Sequence, residues 1–229
     1  MDLLIVTHGV RGGPGIAAVH AARIARRGLF RLVAVGCLRG EPSLERALDD
    51  LPGPVVAVPL LLARGWIHDR VRARLTALGR GDLRMVPPVG TLPACADLFA
   101  TVVREVRAGE DGFTHLWLVG HGTERHAEST VALRTQAVRL RYRFPDLAVE
   151  TLWLEQPPRL AERAARFGKG RVLALGAFVD AGPHGRDDVA AALAPLGERA
   201  RYTGPVGLRP EMADLIVAAT RHRLAVPVS

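Results

Sequence analysis

LWLVGHG, residues 116–122, is an apolar run that stops abruptly on Gly120-His121-Gly122. It is too short for a helix, and its glycine-bounded apolar residues read as a strand buried on both faces. LLIVTHG, residues 3–9, has the same form and ends on His8-Gly9. His121 follows His8 by 113 residues. Two further blocks recur in the same order. GPVVAVPLLLARG (53–65) lines up with GKGRVLALGAFVDAG (168–182), and PVGTLPACADL (88–98) with PVGLRPEMADL (205–215). Both pairs are offset by 117 residues, so a net four-residue insertion follows the second histidine. Ordered repeats of this kind indicate a tandem duplication. The boundary falls near Ala108-Gly109-Glu110-Asp111-Gly112, giving domains 1–110 and 111–229.

Each half alternates strand and helix patterns. In the first, strands are expected at Leu3–Val6, Phe30–Cys37, Val55–Leu62 and Leu83–Val86. Helices are expected at Ile16–Arg27, Ser43–Leu51, His68–Leu78 and Ala94–Val106, with Ser43 as a cap. Apolar strands alternating with helices imply an α/β fold with parallel sheets covered on both faces. Two tandem Rossmann-like domains follow, each a four-stranded parallel sheet flanked by helices, with a cleft between them. Ligands of such sheets sit beyond the carboxyl ends of the strands. Both His8 and His121 fall there.

Composition narrows the function classes. The chain has 229 residues, 48% of them hydrophobic, which is enough for packed cores. No apolar stretch is long enough to span a bilayer, and no signal peptide is visible, so a cytoplasmic protein without membrane partners is expected. Cys37 and Cys95 are the only cysteines, too few for an iron–sulfur cluster or a disulfide framework. Neither a Walker A motif nor GxGxxG after a strand is present, so ATP is not expected as a cofactor. The formal charge is +8, carried almost entirely by arginine spread along the chain. Nucleic acid is not the expected partner, because aromatics make up only 5% of residues and stacking platforms are scarce. Arginine forks suit carboxylate-rich ligands, although the arginine richness can also be compositional.

Chemistry-bearing residues recur at strand ends. In the second half these are His121, Glu155 in WLEQPP, and His184 in AGPHGRDD. Two imidazoles and a carboxylate suit a divalent transition metal, and the same groups can accept protons. The first half offers His8, Glu41 and His68 in similar places. The repeat does not align them without gaps. With Pro42 set on Pro158, Glu155 faces Arg39, and Ile67 rather than His68 faces His184. His20, His115, His126 and His222 have no repeat partners and read as ordinary surface or core residues.

LVGHGT, then Glu155 before a proline pair, then Gly182, His184, Asp188 and Val189, resembles the sirohydrochlorin chelatase family in its long, duplicated form. In the first half, VPLLLARG (58–65) and GEPSL (40–44) are similar to the corresponding family motifs. The family's serine after His-Gly is Val10 in one half and Thr123 in the other. The resemblance implies ATP-independent insertion of a divalent metal, Co2+, Fe2+ or Ni2+, into sirohydrochlorin or a related tetrapyrrole. It implies His121, His184, Glu155 and His8 as catalytic residues, with His68 and Glu41 as further metal ligands. Arg11, Arg64, Arg125 and Arg186 lie beside the histidine motifs and are expected to pair with substrate carboxylates. Motif completeness favours the second half as the working site. The other reading is a tetrapyrrole or metal carrier of the same fold without catalysis. A monomer or a homodimer is compatible with the duplication.

Overall fold

The computed structural model describes residues 1–123, 126, 128–221 and 226–227. It forms two compact units, Met1–Leu92 with Pro210–Ser229, and Pro93–Arg209.

The first unit holds β1 (Asp2–Thr7), α1 (Ile16–Ala25), β2 (Val33–Cys37), α2 (Leu44–Asp49), β3 (Val55–Pro59), α3 (Trp66–Ala77) and β4 (Leu83–Met85). Its sheet order is β2-β1-β3-β4, all parallel. The parallel four-stranded core is as expected from sequence. A two-residue antiparallel strand, Val226–Pro227, is added at the β4 edge. We number that strand β9.

Every residue of β1 is buried, as a central parallel strand covered on both faces must be. Leu4 and Val6 pack with Leu44, Leu48, Val71 and Leu75 of α2 and α3. Leu3 and Ile5 alternate to the opposite face, where α1 lies. Ser43 caps α2, its hydroxyl accepting from the Arg46 amide at 3.2 Å. The second strand is shorter than its apolar pattern: Phe30, Arg31 and Leu32 precede it. Arg31 instead turns back on Asp2, donating at 2.9 and 2.6 Å.

The second unit holds α4 (Pro93–Gly109), β5 (Phe113–Gly120), α5 (Glu128–Arg143), β6 (Ala148–Trp153), α6 (Leu160–Ala165), β7 (Arg171–Gly176), α7 (Val189–Leu193) and β8 (Ala200–Pro205). Its order β6-β5-β7-β8 repeats that of the first unit. Trp117 is fully buried, packs edge-on against Phe167 at 5.3 Å between ring centres, and donates its indole N–H to Glu150.

The duplication is visible in backbone detail. Gly90 donates to Leu61 O, and Gly207 to Phe178 O, pairs offset by 117 residues. A Cβ on Gly90 would meet Leu62 O at 2.1 Å, and one on Gly207 would meet Val179 O at 1.9 Å. Both PVG motifs are therefore close approaches of one loop to another. Packing nevertheless groups the last helix of each repeat with the other repeat's sheet. α4 packs on α5 in the second unit, while α8 (Met212–Thr220) packs on α1 and β3 in the first.

Two measurements test these contacts. Gly207→Ala drives a methyl into a carbonyl and is expected to lower unfolding stability by about 2 kcal/mol or more in urea titrations. Asp2, held by Arg31 and by the Gly53 amide, has its pKa lowered to about 2 from 3.8. Because the folded value is depressed, its contribution is complete above about pH 4 and lost as pH falls through 2. The stability gap between wild type and Asp2→Asn is therefore expected to be large at pH 7 and to close at pH 2.

Candidate metal centre

In a parallel sheet the carboxyl ends of neighbouring strands lie side by side. β5 runs between β6 and β7, so three consecutive ends meet at one edge. His121 follows β5, Glu155 lies two residues beyond β6, and His184 follows the loop after β7. Their ligand atoms lie within 4.8 Å of one another, the one group of this kind among the described residues. A first-row divalent ion, with bonds of about 2.0–2.2 Å, joins donors no more than about 4.4 Å apart. The set can close on such an ion with a small inward shift.

Backbone geometry holds the first two donors in register. The Glu155 amide donates to His121 O at 3.0 Å, and the Leu154 amide to Gly120 O at 3.1 Å. Glu155 Oε1 stands 3.4 Å from His121 Nε2. The glycine after the histidine also has a physical cause. Gly122 has a φ of 78°, and a Cβ there would meet Gln156 Cγ at 2.7 Å and Trp153 Cβ at 2.9 Å. Gln156 is buried and accepts from the Thr123 amide at 2.7 Å, pinning the two loops together.

Each histidine is oriented through its other nitrogen. His121 Nδ1 donates to Gly122 O at 2.7 Å, which leaves Nε2, on the Glu155 side, as the atom that can ligate a metal. His184 opens a single π-helical turn, His184–Asp188, that leads into α7. In that turn His184 Nδ1 lies 2.7 Å from Asp188 Oδ2. A carboxylate behind a ligand imidazole fixes its tautomer and raises its basicity. The two rings meet edge to face, with centres 4.4 Å apart. Asp188 belongs to the motif read from sequence, but its role as the group that aims His184 emerges only from this turn.

His184 and Glu155 are exposed and His121 is half-buried. Both cysteines are buried and lie outside the set. Burial raises the Cys37 thiol above its ordinary range and pushes Cys95 up to about 12. The centre is thus an accessible nitrogen–oxygen set, suited to a metal that arrives and leaves.

The first unit does not gather its residues in this way. His8, Glu41 and His68 form no such group among the described residues. The reason is register. Arg39 donates its amide to His8 O, as Glu155 does to His121 O, and Cys37 donates to Pro42 O, as Trp153 does to Pro158 O. Arg39 is therefore the structural counterpart of Glu155. Glu41 turns back to accept from the Ser43 amide, and His68, in the first turn of α3, contacts Asp69 at 3.3 Å. Burial, then the Arg39 charge, pushes the His8 pKa below its ordinary value. Burial likewise lowers His68, against the opposing pull of Asp69.

Arg11 and Arg64 are exposed in the loops after β1 and β3. Arg186 sits in the π-turn, 3.3 Å from Asp187. Arg125 and His222 lie outside the described residues. His20 is fully buried, His115 packs edge-on against Phe167, and His126 accepts through its carbonyl from Ser129. No helix among the described residues is long and apolar enough to cross a membrane.

A duplicated parallel α/β fold thus carries a His–Glu–His set at the strand ends of its second unit, a donor set suited to a divalent metal. Comparison with known proteins points the same way: residues 2–106, somewhat under half of the chain, match the CbiX family model. It is 25% identical to a probable sirohydrochlorin cobaltochelatase of Halobacterium salinarum, over 94% of this chain and 89% of that one. The structure of CbiX, described as the terminal enzyme for siroheme biosynthesis in denitrifying bacteria, superposes with a TM-score of 0.76. It is 26% identical, and the match covers 98% of this chain and 100% of that one. A multi-domain Deinococcus radiodurans protein with structural similarity to chelatases gives a TM-score of 0.78 at 24% identity. All of this chain matches, but it spans only 56% of that protein, which carries two additional domains.

Calorimetric titration with Co2+ tests the centre. His121→Ala and His184→Ala are expected to abolish the tight phase. Asp188→Asn is expected to weaken it by about 10- to 100-fold. His8→Ala and His68→Ala are expected to leave it unchanged.

Proposed function

We propose that this protein inserts a divalent metal, Co2+, Fe2+ or Ni2+, into sirohydrochlorin or a closely related carboxylate-rich tetrapyrrole without ATP. The observation that carries this reading is the convergence of His121, Glu155 and His184, with both imidazole Nδ1 atoms tied back. The metal here is a substrate. In the reaction it takes the place of two pyrrole N–H protons, which leave the ring as two protons.

The residues suit both halves of that exchange. The two Nε2 atoms and the Glu155 carboxylate hold the ion at the open strand edge, where a planar ring can reach it. Three nitrogen and oxygen donors without thiolate hold it weakly enough for release into a macrocycle that supplies four nitrogens. As the metal passes to the ring, the freed imidazole and carboxylate become proton acceptors. Asp188 stabilises the His184 imidazolium that forms. The exposed Arg186, in the π-turn that His184 opens, attracts the substrate's carboxylates. The cobaltochelatase and siroheme relatives support the choice of substrate and leave cobalt and iron as the leading metals.

The test is the change in visible absorption when purified protein, sirohydrochlorin and Co2+, Fe2+ or Ni2+ are mixed. Metal-dependent acceleration over the spontaneous rate is expected. Tight binding of tetrapyrrole without acceleration would make the protein a carrier and overturn the proposal. His121→Ala is expected to lower kcat by about 100-fold, while His8→Ala retains activity within a few-fold.

A further inference from the structure

The first unit gathers no donor set at its strand edge among the described residues, and other side chains meet there. Arg39 stands where the second unit places Glu155, so the charge at this position is reversed. Arg39 reaches over the ring of Trp66, with its guanidinium carbon 5.7 Å from the ring centre. Arg70, one turn along α3 from Trp66, approaches the same ring at 5.3 Å. Trp66 is itself 45% exposed, while Trp117 and Trp153 are buried. An aromatic ring held in water by two cations is an unused recognition surface.

These residues line a cavity of about 450 Å³ together with Leu38, Ala73 and Arg74. Trp66, Arg70, Ala73 and Arg74 follow helical spacing along one face of α3, and Leu38 and Arg39 close the opposite wall from the end of β2. The cationic groups are not alike. Arg74 is clamped on Glu45 by hydrogen bonds of 2.6 and 2.7 Å and on Leu38 O at 3.1 Å, so it is a neutralised, rigid wall. It holds the Glu45 carboxyl down at about 2. Arg39 and Arg70 have no acidic partner among the described residues. The cavity therefore offers two uncompensated guanidinium forks beside a half-exposed indole.

We propose that this cavity binds a planar aromatic ring carrying two or more carboxylates. The ring stacks on Trp66, and Arg39 and Arg70 each take a carboxylate in the forked geometry that Arg74 already shows with Glu45. The volume accommodates a free aromatic polycarboxylate or one edge of a larger carboxylated macrocycle. The shared chemistry is the same for both, and the proposal does not depend on chelatase activity.

Trp66 is the natural reporter, being the only exposed tryptophan. Benzenehexacarboxylate added to the intact protein at low salt is expected to quench its fluorescence saturably. Arg39→Gln or Arg70→Gln is expected to weaken that binding by about ten-fold, and 0.5 M NaCl to weaken it further by screening. Arg46→Gln, on α2 and outside the cavity, serves as the control and is expected to change nothing. Trp66→Leu, followed by calorimetry, is expected to weaken binding by several-fold through loss of the stack. Uroporphyrin, followed by calorimetry, separates the sources. If it alone binds, with the same arginine dependence, the ligand is a carboxylated macrocycle; if both bind, the site takes aromatic polycarboxylates generally. Binding of neither overturns the proposal, as does binding undiminished in the double arginine variant. Equal competition by inorganic phosphate also overturns it, because the ring would then contribute nothing.

Discussion

Parallel pairing of β5 between β6 and β7 is the constraint on which the candidate centre depends. Antiparallel neighbours would place the ends of adjacent strands at opposite edges, and His121 and Glu155 would lie a strand length apart. In the parallel arrangement they are next to one another, and the β5–β6 ladder, continued by amide-to-carbonyl bonds from Leu154 to Gly120 and Glu155 to His121, sets their register. The buried apolar strands hold that edge rigid, so exposed side chains can converge on a common point without a buried polar core.

The two units show what happens when one such edge is kept and the other is released. Their backbones still agree closely: both use a PVG turn jammed against the loop after the third strand, and both close the second strand on a proline carbonyl. The side chains at the edge have diverged in charge and type. Glutamate in one unit is arginine in the other, and the histidine that opens the π-turn after β7 is matched by isoleucine. The scaffold tolerates this reversal because the edge residues contribute little to the core. The same exposure that lets a metal enter lets the chemistry of the edge change.

Much of this was legible in the sequence, for identifiable reasons. Continuous apolar runs ended by glycine marked the buried strands, and the repeat fixed their order, so the sheets and the convergence of His121, Glu155 and His184 followed. The expected strands run past the observed ones where apolar residues continue beyond the regular ladder, as at Phe30–Leu32 and Leu60–Leu62. The first-half set of His8, Glu41 and His68 matched in residue type but not in register; the gapped alignment already set Arg39 and Ile67 against the second-half donors. The aim of His184 through Asp188 depends on a π-turn, a local backbone choice with no periodic signature. The pairing of Arg39 with Trp66 and Arg70 brings together the end of a strand and the face of a later helix, which only tertiary structure can do.

The grouping of α8 with the first sheet bears on how the chain is made. The second unit is continuous, from Pro93 to Arg209, and has all its parts once that stretch has left the ribosome. The first unit begins earlier but lacks the helix that covers α1 and β3 until residues beyond Pro210 are synthesised. Order of synthesis and order of completion are thus reversed. Translation stopped short of α8 leaves α1 on the amino-terminal sheet but leaves β3 and the outer side of α1 without the helix that covers them.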